Sequence, residues 1–167
     1  MKPKLRDAAV ELVERAAANG HKGKTANKRL LTALVRDAKG RIPLWYVELI
    51  TTVPICGLEL GWQAQEPEGD YDGVEWMEWS DPRNMRSESI DCYPGLAILE
   101  HGYVNVASDL SGGGDPYFIA AGKSQDPPLY QVYHDVSDEA KAILAEGRNL
   151  VTRSLSGFFR KAIIAER

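Results

Sequence analysis

Only two cysteines, Cys56 and Cys92, occur in 167 residues. That is too few for a disulfide framework, and neither has a partner at metal-ligand spacing. Both sit beside apolar residues and are expected to be buried free thiols. The three histidines, His21, His101 and His134, lie far apart and lack the paired spacing of a metal site, so no metal and no cofactor is expected. No apolar run approaches the ~18 residues of a membrane span. After the basic start Met1-Lys2-Pro3-Lys4 the chain meets Glu11 and Glu14 rather than the uninterrupted apolar stretch of a secretory signal. A membrane partner is therefore not expected, and the cytoplasm is the expected location. The last absence is of one charge sign: residues 42–82 contain no Lys or Arg.

The same residues hold nine Asp and Glu, whereas residues 1–41 carry eleven Lys and Arg against four acids. The modest net charge of −4 thus conceals a basic front and an acidic block, a distribution that bears on partner choice more than on fold. Hydrophobic residues make up 44% of the chain, enough for one domain with a sizeable core at this length.

Helical periodicity opens the chain. Leu5, Ala9, Leu12, Val13 and Ala16 recur at three- and four-residue spacing, predicting a helix over 4–18 that stops at Asn19-Gly20. After the basic linker His21-Lys22-Gly23-Lys24, Thr25 is the expected cap of a second helix of about 13 residues, ended by Gly40. A third helix is predicted from Leu44 to Thr52, between Pro43 and Pro54.

The centre reads as strands. Gly57 to Gln65 alternates in part, and Val74-Glu75-Trp76-Met77-Glu78-Trp79 alternates strictly. A period of two places Glu75, Met77 and Trp79 on one face and Val74, Trp76 and Glu78 on the other, with one indole partly exposed. Residues 83–91 read as polar loop or short helix. Strands at 103–109, 117–121 and 129–135, with a polar break at 122–128, form an antiparallel meander. Ser137-Asp138-Glu139 starts a helix that ends near Gly147, and a closing helix is predicted from about Leu150 to Ala165. The expected class is α+β: N-terminal helices, an antiparallel sheet of five or six strands mixed at its edge, and a C-terminal helix packed on it.

Three stretches, in this order, resemble the SUKH superfamily, which includes fungal Smi/Knr cell-wall regulators and many bacterial immunity proteins. They are Ile42-Pro43-Leu44-Trp45 opening a helix, the Val104–Asp115 segment with its Asp-x-x-Gly-Gly-Gly-Asp turn, and Ser154-Leu155-Ser156-Gly157-Phe158-Phe159. The resemblance implies a SUKH-like domain over 42–167, preceded by a helical extension over 1–41 within the same globular unit. It implies a non-enzymatic protein-binding module, an immunity-type protein that neutralises a toxin domain. A regulatory scaffold of the Smi/Knr type is the alternative, and a small-ligand binder or enzyme is a third class.

The residues that carry the binding expectation are the acidic and aromatic ones of 62–81: Trp62, Glu68, Asp70, Tyr71, Asp72, Glu75, Trp76, Glu78 and Trp79. Trp and Tyr enrich interface hot spots, and carboxylates steer a basic partner such as a nuclease-like toxin domain. The bland alternative is two ordinary strands with core tryptophans and solvated acids. Asp109, Gly112, Gly113, Gly114 and Asp115 are expected to build a structural turn, since they lack the Lys-Ser/Thr and helix of a phosphate loop. Ser111, His134 and Asp135 lack a nucleophile elbow and are not expected to be catalytic. The basic front, with Lys22, Lys24, Lys28 and Arg29, lacks interleaved aromatics, so nucleic acid is not the expected partner. A solvated helix face, or a complement to the chain's own acidic half, is.

Overall fold

The computed structural model describes residues 1–122 and 124–165. Lys123, inside the polar break expected at 122–128, and the last two residues of the domain expected over 42–167 lie outside that description. Helix α1 spans Pro3–Ala18, α2 Lys28–Asp37 and α3 Leu44–Thr52; strands β1 Glu59–Gln63 and β2 Val74–Trp79 follow. Then come α4 (Pro82–Arg86) running into a π-helical turn, α5 (Gly95–Ile98) with a 3-10 turn, β3 (Tyr103–Asp109), β4 (Tyr117–Ala120) and β5 (Leu129–Val132). Helix α6 (Ala140–Glu146), β6 (Arg148–Thr152) and α7 (Leu155–Lys161) close the chain. No helix among the described residues is long and apolar enough to cross a membrane.

The six strands lie in chain order, β1 to β6, and every neighbouring pair is antiparallel. The sheet is a plain meander that curls, without the mixed edge anticipated from sequence. Its main core face is covered by the helices. Leu5, Ala8, Ala9, Leu12 and Ala16 of α1 are wholly or almost wholly buried, in one cluster with Trp45, Leu49, Leu60, Met77, Trp79, Val104 and Phe159. The 1–41 segment therefore shares the domain's core. Arg15 of α1 donates to the carbonyls of Ala162 (3.0 Å) and Phe159 (2.5 Å), satisfying orphan acceptors at the end of α7 where the helix dipole is negative. On the opposite sheet face, over β3–β5, Ile98 and Ile143 pack on Tyr103, Phe118 and Val132.

Three further expectations are corrected. Asn27, not Thr25, caps α2: its side chain accepts from Arg29 and Leu30. Residues 24–26 are held extended instead, because Lys24 exchanges backbone hydrogen bonds with Cys56 and the Ala26 amide donates to Ile50.

The closing helix is half the expected length. Residues 148–152 form β6 against β5, since Asn, Val and Thr are poor helix formers and β5 offers an open edge. Ser154 then caps α7 by accepting from Gly157, and Ile163 leaves the helix to exchange hydrogen bonds with Gly61, covering the outer edge of β1.

Lastly, Cys92 is exposed, because it lies just past the π-helical turn on the surface, while Cys56 is buried as expected. Burial pushes the Cys56 thiol up to about 12.

Candidate functional site

The acidic block is built around the β1–β2 hairpin. Its connection carries a second, smaller turn at its tip, where Glu68 and Tyr71 exchange backbone hydrogen bonds of 2.9 and 3.1 Å around Gly69-Asp70. Gly69 needs its left-handed φ of 60° for so tight a turn. The base is stapled by Gln63, whose side-chain amide donates to the carbonyls of Gln65 (2.7 Å) and Asp72 (2.8 Å). Asp72 Oδ1 accepts from the Val74 amide, and the Tyr71 hydroxyl donates to Glu75 Oε1 at 2.8 Å. That hydrogen bond, with the neighbouring negative charge, raises the Tyr71 phenol above its ordinary value. The result is a structured wing that holds Glu66, Glu68, Asp70 and Asp72 in solvent.

The candidate residues do not share one face. Cross-strand partners point the same way, and the register pairs Trp62 with Glu75, Leu60 with Met77, and Gly61 with Trp76. Trp62 and Glu75 therefore lie on the core side, with Trp76 and Glu78 opposite. Trp79 is removed from the candidate surface altogether. It is fully buried, packed at 6.1 and 5.2 Å from the rings of Phe158 and Phe159, because α7 covers this end of the core face. Trp62 is half-buried and donates to the Tyr117 hydroxyl at 3.3 Å. Trp76 is the half-exposed indole. It lies across Gly61, where an added Cβ would come within 3.2 Å of the ring.

Among the described residues, no Lys, Arg or His lies within salt-bridge distance of Glu59, Glu66, Glu68, Asp70, Asp72, Glu75, Glu78 or Asp81. The block is not uniform, however. Glu78 and Asp81 line a crevice together with Lys22 and Lys24 of the basic linker, so at this end the front offsets the acids. Among the described residues, the wing has no such ion-pair partner.

The Asp109–Asp115 segment is a carboxylate-centred turn. Asp109 accepts from the amides of Ser111, Gly112 and Gly114 at 2.8 to 3.0 Å, and Gly112 and Gly114 adopt positive φ. Asp115 then accepts from both the backbone amide and Nδ1 of His134, at 3.0 and 2.8 Å. Ser111 Oγ accepts from the Trp76 amide at 2.7 Å. The ring of His134 is thus engaged by Asp115, whereas Ser111 is tied to β2.

Beside this turn the core side of the sheet stays open beyond Trp62 and Tyr117. A polar groove of about 280 Å³ runs there, lined by Glu75, Ser111, Gly113, Asp115, Gln131, Tyr133 and Asn149 among others. Burial pushes the Tyr117 phenol far up, the Trp62 hydrogen bond opposes this, and the charges of Asp109, Glu75 and Asp115 add to it. Gln131 and Asn149 are not among the candidate site residues expected from the sequence. The only signal for them is a polar residue on the inward-facing parity of a strand. Comparison with family models, with curated proteins and with solved structures finds no match for this chain.

Proposed function

We propose that the chain is a non-enzymatic, SUKH-like protein-binding module of the immunity type, acting in the cytoplasm by engaging a basic toxin domain through the β1–β2 wing. The observation that carries this reading is the wing itself. Four carboxylates, Glu66, Glu68, Asp70 and Asp72, are held on a stapled hairpin in solvent, without an ion-pair partner among the described residues. Like charges brought together repel one another, and a basic partner relieves that repulsion while being steered by it. Tyr71, 40% exposed, and half-exposed Trp76 supply aromatic contact beside the charge. A domain that holds nucleic-acid phosphates is basic, and an acidic wing competes for that surface.

The test is affinity capture of the tagged protein from its host at low and at raised salt. Recovery of one basic toxin-like polypeptide that weakens with salt is the expected result. Recovery unaffected by salt, or of no basic polypeptide, contradicts it and leaves the scaffold reading.

A further inference from the structure

We propose that the polar groove beside the Asp109–Asp115 turn is a receptor for one arginine side chain of the partner protein. This deepens the protein-binding reading and rests on it.

The groove is assembled rather than incidental. Gln131 is 9% exposed, and among the described residues its side-chain amide forms no hydrogen bond although it lines the groove. Its amide oxygen and nitrogen are not sealed from solvent; they open onto the groove, where a polar guest can take the place of the water they otherwise bond. The neighbouring acceptors are half-used in the same way. Asp115 spends Oδ1 on His134 and Glu75 spends Oε1 on Tyr71, leaving Oδ2 of one and Oε2 of the other without a partner among the described residues. Ser111 accepts from the Trp76 amide, and Tyr133 and Asn149 complete the rim.

The charge selects the guest. Among the described residues, Glu75 and Asp115 are the only carboxylates that line the groove, and no Lys or Arg lines it. Arg148, adjacent in sequence to Asn149, stacks over Tyr103 and Tyr130 on the opposite face. An anion is therefore repelled and a cation attracted. Planarity then favours guanidinium over ammonium. Arginine presents five N–H donors in a fixed fork, suited to two carboxylates and two amide oxygens at once, and its flat face stacks on an aromatic ring such as that of half-buried Tyr133. A lysine ammonium is a compact, strongly hydrated charge that matches fewer of these acceptors.

Gly113 supplies a means of closing the groove. Its φ is not in the left-handed region, and a Cβ there would meet only Asp115 Oδ2 at 3.5 Å and Asp109 Oδ2 at 3.7 Å, ordinary contacts. A side chain at this position fills space without straining the turn.

The experiment is a titration of the full-length, isotope-labelled protein with N-acetyl-arginine methylamide, followed by the side-chain NH2 resonances of Gln131 and Asn149. The uncharged isostere N-acetyl-citrulline methylamide and the lysine analogue serve as comparisons. Saturable shifts of both amides with arginine are expected, about tenfold weaker with citrulline and several-fold weaker with lysine. Glu75→Gln should weaken the arginine titration about tenfold, and Gly113→Val should abolish it while leaving the remaining spectrum in place. No shift at these amides, or equal shifts with arginine and citrulline, overturns the proposal. If wing-dependent capture of a basic partner succeeds while arginine leaves the groove untouched, only this inference falls. If arginine binds but no basic partner is ever captured, the groove stands and the immunity reading falls.

Discussion

The hydroxyl of Ser80 donates to Oδ1 of Asn105 at 2.8 Å, and both residues are fully buried. Asn105 sits where the β3–β4 register shifts, and its amide donates to the carbonyls of Ala107 (3.0 Å) and Tyr117 (3.2 Å). One side chain thus replaces the ladder hydrogen bonds that the bulge removes, immediately before the strand ends that bear Asp109 and Tyr117. Asn105→Leu leaves these acceptors and the Ser80 hydroxyl unpaired in the interior. We expect a loss of about 2–4 kcal/mol, measured by urea unfolding.

The two tryptophans of β2 separate stability from binding. Trp79→Ala should cost about 3–5 kcal/mol, the range for large aromatic truncations in a core. Trp76→Ala, on the half-exposed face, should cost at most about 2 kcal/mol and weaken partner capture instead. Equal destabilisation by the two variants would contradict the assignment of faces.

Asp126, from the β4–β5 connection, accepts from the backbone amide of Ser156 at 2.7 Å and from its hydroxyl at 2.6 Å. It thereby ties the start of α7 to the sheet. Asp126→Ala should destabilise the fold by about 1–3 kcal/mol, with the earliest loss of hydrogen-exchange protection in α7.

The hydrogen bond to Asp115 raises the His134 imidazole above its ordinary 6.5, against the opposing effect of burial and with help from the charges of Asp115 and Asp135. The sign follows from linkage: a raised folded pKa means that the protonated form favours the folded state. That contribution is whole below the unfolded pKa and is lost as pH rises through the higher folded value. An NMR titration should give a His134 midpoint above 6.5, and Asp115→Asn should lower it. A midpoint unmoved by the substitution would contradict the pairing.

The thiols differ in reactivity. Exposed Cys92 should react promptly with a disulfide reagent at neutral pH, whereas Cys56, buried and pushed up to about 12, should react only on unfolding.

Much of the fold is legible along the chain because it obeys local periodicity. The three N-terminal helices follow from apolar spacing, with Pro43 and Pro54 bounding α3, and the alternation of 74–79 sorts its side chains correctly into two faces. Alternation does not say which face is covered. Trp79 belongs to the core because Phe158 and Phe159 return to it from the far end of the chain, a tertiary event without a local signature. The 148–165 stretch misleads for a related reason. Val151, Leu155, Phe158 and Phe159 keep helical spacing while belonging to a strand and a helix in succession, divided by the Ser154 cap. The wing and the Asp109 turn are written in their glycines and carboxylates. The groove is not, since Gln131, Asn149 and Glu75 come from three different strands and meet only through register and curl.

The most direct test of the central claim is the affinity of the captured partner for the intact protein and for a variant reversed at the wing, Glu66→Lys, Glu68→Lys and Asp70→Lys. None of these three side chains forms a hydrogen bond or ion pair among the described residues, so the fold should be unchanged, as circular dichroism and urea unfolding would show. Binding should weaken by at least about tenfold in the variant, with a slower association rate and a flatter salt dependence. Unchanged affinity and association rate in a folded variant would contradict it.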